Sequence, residues 1–160
     1  MKGFFERNKI LHVIPDSGSA GVYTLGAGTT DVNTGVVDAQ LHQCAGLAWV
    51  VILGTLAASS SVTIKAQHSD DGTNWSDVEG TSQATVDAND DDKILGVQVG
   101  RLTKRYNRLN IVRGDGGNSA INAVLANLYE PRVLPVAQLT SAGQFVRQPE
   151  IFDASRDGTA

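Results

Sequence analysis

Asp70, Asp71 and Asp77 lie with His68 and Trp75 in the stretch "AQHSDDGTNWSDVEG", from Ala66 to Gly80, where carboxylates, an imidazole and an indole stand close together. Such a set suits a bound ligand, a metal ion or the backbone of a tight turn. The turn reading uses every residue. Asp70 and Asp71 accept backbone N–H bonds, Gly72 supplies a positive φ, and Trp75 folds back over the end of the core. A calcium ion needs about six to eight converging oxygens, more than one turn supplies, so no metal is expected. Asp70, Asp71, Trp75 and Asp77 stand as ligand-or-turn residues, with the turn favoured.

The other chemical motifs break where their geometry is strict. In "DANDDDKILGVQ", Asp87, Asn89 and Asp91 take the first, third and fifth places of an EF-hand loop. Asp92, however, replaces the glycine of the sharp turn, and Gln98 replaces the bidentate glutamate. This reads as a solvated acidic loop. "SGSAG", from Ser17, lacks the first glycine of a nucleophile elbow. "LGAGTTD", from Leu25, has no third glycine and no lysine followed by serine or threonine to hold a phosphate. His42 and Cys44 stand two apart, as zinc ligands on one strand face would, but no second pair has ligand spacing. His12 and His68 stand alone. No catalytic residue and no cofactor is expected. The Arg-Gly-Asp tripeptide at Arg113 to Asp115 lies in "RGDGGNSA", whose Asp-Gly and Gly-Asn pairs read as a hairpin tip.

The elements that position these residues read as strands. "GLAWVVILG", Gly46 to Gly54, is β-branched, aromatic and glycine-bounded, as a buried central strand is. "SVTIKAQHS" alternates, with Val62, Ile64, Ala66 and His68 on one side and Thr63, Lys65 and Gln67 on the other. Further strands are expected over Val36–Cys44, Ile94–Val99, Arg105–Arg113 and Ala120–Tyr129. Short strands with glycine-rich turns predict an all-β fold, an antiparallel β-sandwich or jelly roll with extended N- and C-terminal arms. With 160 residues, 41% of them hydrophobic, and 17 glycines, one domain with a real core is expected. Its parts are 1–34, an N-terminal arm and first strand region; 35–132, the sandwich; and 133–160, the C-terminal arm.

The arms carry large apolar side chains without a sustained period. Phe4, Phe5, Ile10 and Leu11 mark the first; Leu134, Leu139, Phe145, Ile151 and Phe152 mark the second. Ordering such segments costs about 1–2 kcal/mol per residue in backbone entropy, so they are expected to settle on a surface, that of a neighbouring subunit or, alternatively, of their own domain. A net charge of -4 argues against direct nucleic-acid binding, which needs a clustered basic face. Lys104, Arg105 and Arg108 form the tight basic group, read as a strand edge or a rim of subunit contacts. No apolar run approaches the roughly 20 residues of a membrane-spanning helix. Charged residues at Glu6, Arg7 and Lys9 interrupt any signal-peptide core. The single Cys44 leaves no internal disulfide, as suits a reducing site of folding.

"VTIKAQHSDDGTNWSDVEG", "RLTKRYNRLNIVRGDGG" and "SAINAVLANLYEPR" together resemble the head decoration, or cement, proteins of tailed bacteriophages, over about Gly35 to Arg132. The resemblance implies a non-enzymatic virion protein that binds the outer surface of the expanded capsid and bridges neighbouring capsid subunits. Its implied partners are the major capsid protein and further copies of itself, as a homotrimer assembled in the host cytoplasm. Similar turns and Arg-Tyr strands occur in carbohydrate-binding jelly rolls, so a sugar-binding module on the virion is the alternative, with a neck or tail structural protein beside it.

Overall fold

The computed structural model describes residues 8–13, 25–83, 85–114 and 117–131. In chain order these form β1 (Lys9–His12), β2 (Leu25–Gly28), β3 (Val32–Asn33), β4 (Val37–Asp38), a single helical turn α1 (Ala39–His42), β5 (Cys44–Leu56), β6 (Ser61–Ser69), β7 (Ser76–Asp77), a 3-10 turn (Ala88–Asp90), β8 (Ile94–Val99), β9 (Tyr106–Gly114) and β10 (Ser119–Pro131). The strands build two antiparallel five-stranded sheets. In the first, β10 pairs with β5 and β5 with β8, while β1 and β2 share the free edge of β10. In the second, β9 pairs with β6 and β6 with β7, while β3 and β4 share the free edge of β9. The chain is an all-β sandwich, as its alternating segments predict.

The core lies between the sheets. Leu47, Trp49, Val51 and Leu53 of β5 meet Val62, Ile64 and Ala66 of β6 and Leu109 and Ile111 of β9, all essentially inaccessible. Alternation explains β9, and β6 as far as Ala66: every second residue enters the core and the others are half-buried. At the end of β6 it breaks, and Ser69 is buried in place of His68, expected on the packed side. Where paired strands break, side chains complete the ladder. The Thr34 hydroxyl accepts from the Leu109 N–H at 2.9 Å, and the Thr81 hydroxyl accepts from that of Ala66 at 3.1 Å. Both threonines are buried, so their hydroxyls satisfy N–H groups that water does not reach.

Two elements differ from the sequence expectation. Val36–Cys44 is not one strand: Asp38 ends β4, and its carboxylate accepts from the N–H groups of Gln40 and Leu41 at 2.9 and 3.0 Å, capping α1. Gln43 then closes the turn at φ 50°. Ile10 and Leu11, expected on an arm, belong to β1. Leu11 is buried in the sandwich's own core, because β1 pairs with β10 and alternation turns Leu11 inward. The other arm residues, Phe4, Phe5, Leu134, Leu139, Phe145, Ile151 and Phe152, lie outside the described residues, as do Asp115 and Ser17.

Gly46 is required by packing: the Tyr129 ring lies across it, in the space a Cβ would occupy. Gly46→Val is expected to lower stability by roughly 1–3 kcal/mol through this overpacking, read as a lower urea midpoint at unchanged slope.

Candidate functional site

The loop between β6 and β7 is built on Ser69 and Asp71. The buried Ser69 hydroxyl donates to Asp71 Oδ1 at 2.8 Å and accepts from the Gly72 N–H at 2.9 Å. Asp71 Oδ1 also accepts from the N–H groups of Thr73 and Asn74, each at 2.8 Å, and Oδ2 accepts from the Asn74 amide at 2.6 Å. Gly72 sits at φ 76°. The N–H groups of Asn74 and Thr73, then the Asn74 amide and the Ser69 hydroxyl, hold the Asp71 carboxyl far below the usual carboxylate range. Asp71 thus spends its lone pairs on its own loop.

The other acidic groups are similarly engaged. Asp70 pairs with Lys104 at 3.2 Å. Asp77 accepts from Lys65 and from the Gln67 amide, both at 2.7 Å. Gln67 in turn accepts from Arg108 Nε at 2.9 Å, and the Arg108 guanidinium stacks on half-buried Trp75, 4.1 Å from the ring centre. Asn110 donates to Asn33 at 3.0 Å, and Thr63 meets Thr85 at 2.9 Å. The outer face of the second sheet is therefore a polar surface whose groups bond to one another.

In the second acidic loop, Asp87 accepts from the backbone and side chain of Asn89 at 2.8 and 2.9 Å, capping the 3-10 turn. Asp90 pairs with Lys93 at 2.6 Å, and Asp91 reaches across to the Leu56 N–H at 2.7 Å. Asp92 adopts φ 57°. Among the described residues no three His, Cys, Asp or Glu side chains converge as metal ligands.

The basic group is likewise spent: Lys104 on Asp70, Arg105 on Asp38 at 2.7 Å, and Arg108 on Gln67 and Trp75. Arg113, first residue of the Arg-Gly-Asp tripeptide, is buried and donates to the Thr30 and Ser119 carbonyls at 2.7 and 3.1 Å. It anchors β9 against β10 instead of being displayed. Cys44, near Gln40, Gln43 and Lys104 at a shallow depression of about 340 Å³, has its thiol pushed up to about 11 by burial. The protonated thiol is a poor nucleophile and metal ligand.

What the sequence reading passed over is the outer face of the first sheet. Ala48, Val50 and Ile52 of β5 alternate with the core residues and point outward, half-buried. They lie beside Asn127, Leu125 and Ala123 of β10 and Gln98, Gly96 and Ile94 of β8. Ile10 and His12 of β1 pair with Asn127 and Leu125 and continue these rows. No charged residue stands in them. The signal was present: in Cys44–Leu56 both alternating sets are apolar.

No family model matches the chain, and no curated protein matches it. Solved structures with a similar fold include chitosan-binding module 1 from the chitosanase/glucanase of Paenibacillus sp. IK-5, at 17% identity and TM-score 0.38, covering 76% of this chain and 94% of that one. Another is the PBSX exported protein XepA, at 17% identity and TM-score 0.46, covering 99% of this chain and 57% of that one. A third is the C-terminal family 22 carbohydrate binding module of Clostridium thermocellum Xyn10B, at 11% identity and TM-score 0.40, covering 82% of this chain and 100% of that one. These are likenesses of fold.

Because the Asp71 carboxyl is depressed in the folded chain, its contribution is complete above the unfolded carboxylate value, about 3.9, and is lost as pH falls from there toward the folded value. Asp71→Asn is expected to melt below the wild type at pH 7. The gap should narrow as the pH is lowered from about 4 to about 2; a constant gap in thermal melts would count against the hydrogen-bonded role.

Proposed function

We propose that this chain is a non-enzymatic structural protein of a tailed-bacteriophage virion, which binds the outer surface of the expanded capsid and bridges neighbouring copies of the major capsid protein. The observation that carries this reading is the contrast between the two outer sheet faces. One is polar and bonded within itself, as suits exposure to solvent; the other is uncharged and largely apolar, as suits contact with protein. The acidic loops support the same reading, because their carboxylates are engaged by N–H groups and cations that a catalytic or metal role would need free.

The net charge of -4 suits the outer capsid surface better than the DNA-facing one. The apolar segments around Phe4 and Phe5 and from Leu134 to Phe152 add contacts to neighbouring subunits by strand addition or groove docking. Many linked weak contacts then resist rupture through effective concentration. Assembly takes place in the host cytoplasm.

One observation favours a second reading, a carbohydrate-binding module: Trp75 stands half-buried at the end of a polar face bearing Gln67, Asn110 and Asn33. The Arg108 guanidinium already occupies part of its ring, and the amides are paired, which weighs toward the structural reading. Reproducible glycan-array binding that Trp75→Ala abolishes would reverse that weighting.

Mixed with undecorated, expanded capsids of its own phage and sedimented, the protein is expected to bind saturably and raise the temperature at which the heads rupture. A variant lacking Pro135 to Ala160 is expected to fold but bind weakly or not at all. Failure of the full chain to co-sediment, or full decoration by the shortened one, would refute respectively the capsid role and the part given to the C-terminal segment.

A further inference from the structure

We infer that the outer face of the first sheet is a self-association surface, on which a second copy of this chain docks face to face. Its apolar side chains, Val50, Ile52, Leu125 and the 65%-exposed Ile94, form one contiguous area with no other described strand across it.

The face is flat by construction. At one end Tyr129 lies over Gly46 and donates to the Val99 carbonyl at 3.0 Å, while accepting from the Gln98 amide at 2.9 Å. At the other, Asn122 lies over Gly54 and donates to the Leu53 carbonyl at 3.2 Å. A Cβ at either glycine would lift the side chain above it. Small residues, Ala48, Ala123 and Gly96, fill the rows between. The Tyr129 hydroxyl and the Asn122 and Gln98 amide N–H groups, bonded within the sheet, lose few hydrogen bonds to water when the face is covered.

Two quantities select a copy of the chain as the occupant. The first is charge. A two-fold interface sets the patch against a second copy of itself, so a patch without charges brings no like charges together across it. These rows carry none, whereas the opposite sheet's outer face carries Lys65, Asp77 and Arg108. The second is area. With β5 and β10 each 13 residues long, flanked by β8, β1 and β2, the face covers about 600 Å² at about 3.3 Å per residue and about 4.8 Å between strands. That meets the lower bound of the ~600–1,000 Å² that each partner gives to a stable interface. Sheets packed this way stand about 10 Å apart, the spacing inside the sandwich itself. The inferred unit is a two-fold dimer, in place of the trimer that the family resemblance implies. It does not depend on capsid binding.

The test is sedimentation equilibrium of the full-length chain over a range of concentrations, beside Val50→Glu, Leu125→Glu and, as a control on the opposite sheet, Thr63→Glu. The wild type and Thr63→Glu are expected to sediment as dimers of the 16.9 kDa chain. Val50→Glu and Leu125→Glu are expected to self-associate roughly 100-fold more weakly, since each change enters the interface twice. Thermal melts identify any variant that unfolds. For one that does, Ala48→Gln, a bulkier neutral change on the same face, replaces it and is expected to weaken the dimer too. A monomeric wild type overturns the inference, as does a trimer or a dimer indifferent to these changes in folded variants. Capsid binding by a monomeric wild type would overturn this inference alone; a face-dependent dimer that ignores capsids would overturn the capsid role alone.

Discussion

The pairing of β5 with β10 is the constraint on which the rest of the structure depends. The two 13-residue strands run antiparallel through the middle of the first sheet, from Cys44 beside Pro131 to Leu56 beside Ser119. Their inward residues, with Trp49 at the centre, form one wall of the core; their outward residues form the uncharged face. The pair also fixes the neighbours. β8 adds to one side of it, while β1 and β2 add to the other in two pieces, a register shift in β10 separating their sites. Gly46 and Gly54 belong to the same constraint, because each leaves room for a large side chain of β10.

The second sheet solves a different problem. Its outer face faces solvent, and the polar side chains there form chains of partners: Lys65 to Asp77, Asp77 to Gln67, Gln67 to Arg108, and Arg108 over Trp75. Each exposed ion pair contributes little to stability. Together they orient the loop after β6, and they draw cations and carboxylates into internal bonds that leave little for a ligand. The residues with the most chemical types in the sequence are thus the most committed ones in the fold. Among the described residues the body thus has one polar face bonded within itself and one uncharged, largely apolar face.

The sequence by itself determined the local order of the molecule. Alternation in Ser61–Ser69 marks a half-buried strand because side chains of an extended chain point to opposite faces with period two. Ser-Asp-Asp-Gly marks its turn because serine and aspartate oxygens cap neighbouring N–H groups and glycine accepts positive φ. Even α1 has a local signature, an aspartate ahead of "AQLH" whose carboxylate caps the turn.

Only the tertiary structure decided what the long-range pairings do. Leu11 enters the core because β1 lies beside β10, more than a hundred positions away, and no local pattern encodes that neighbour. Cys44–Leu56 is apolar in both alternating sets, so its sequence reads as buried on both sides. The fold gives it one core face and one outer face, since no described layer lies beyond the first sheet. Asp70, Asp77, Lys104 and Arg108 look available in the sequence and are paired in space. Pairing depends on which strands are adjacent, and adjacency is a property of the whole chain's packing, set by the burial of Trp49 and its neighbours between two sheets.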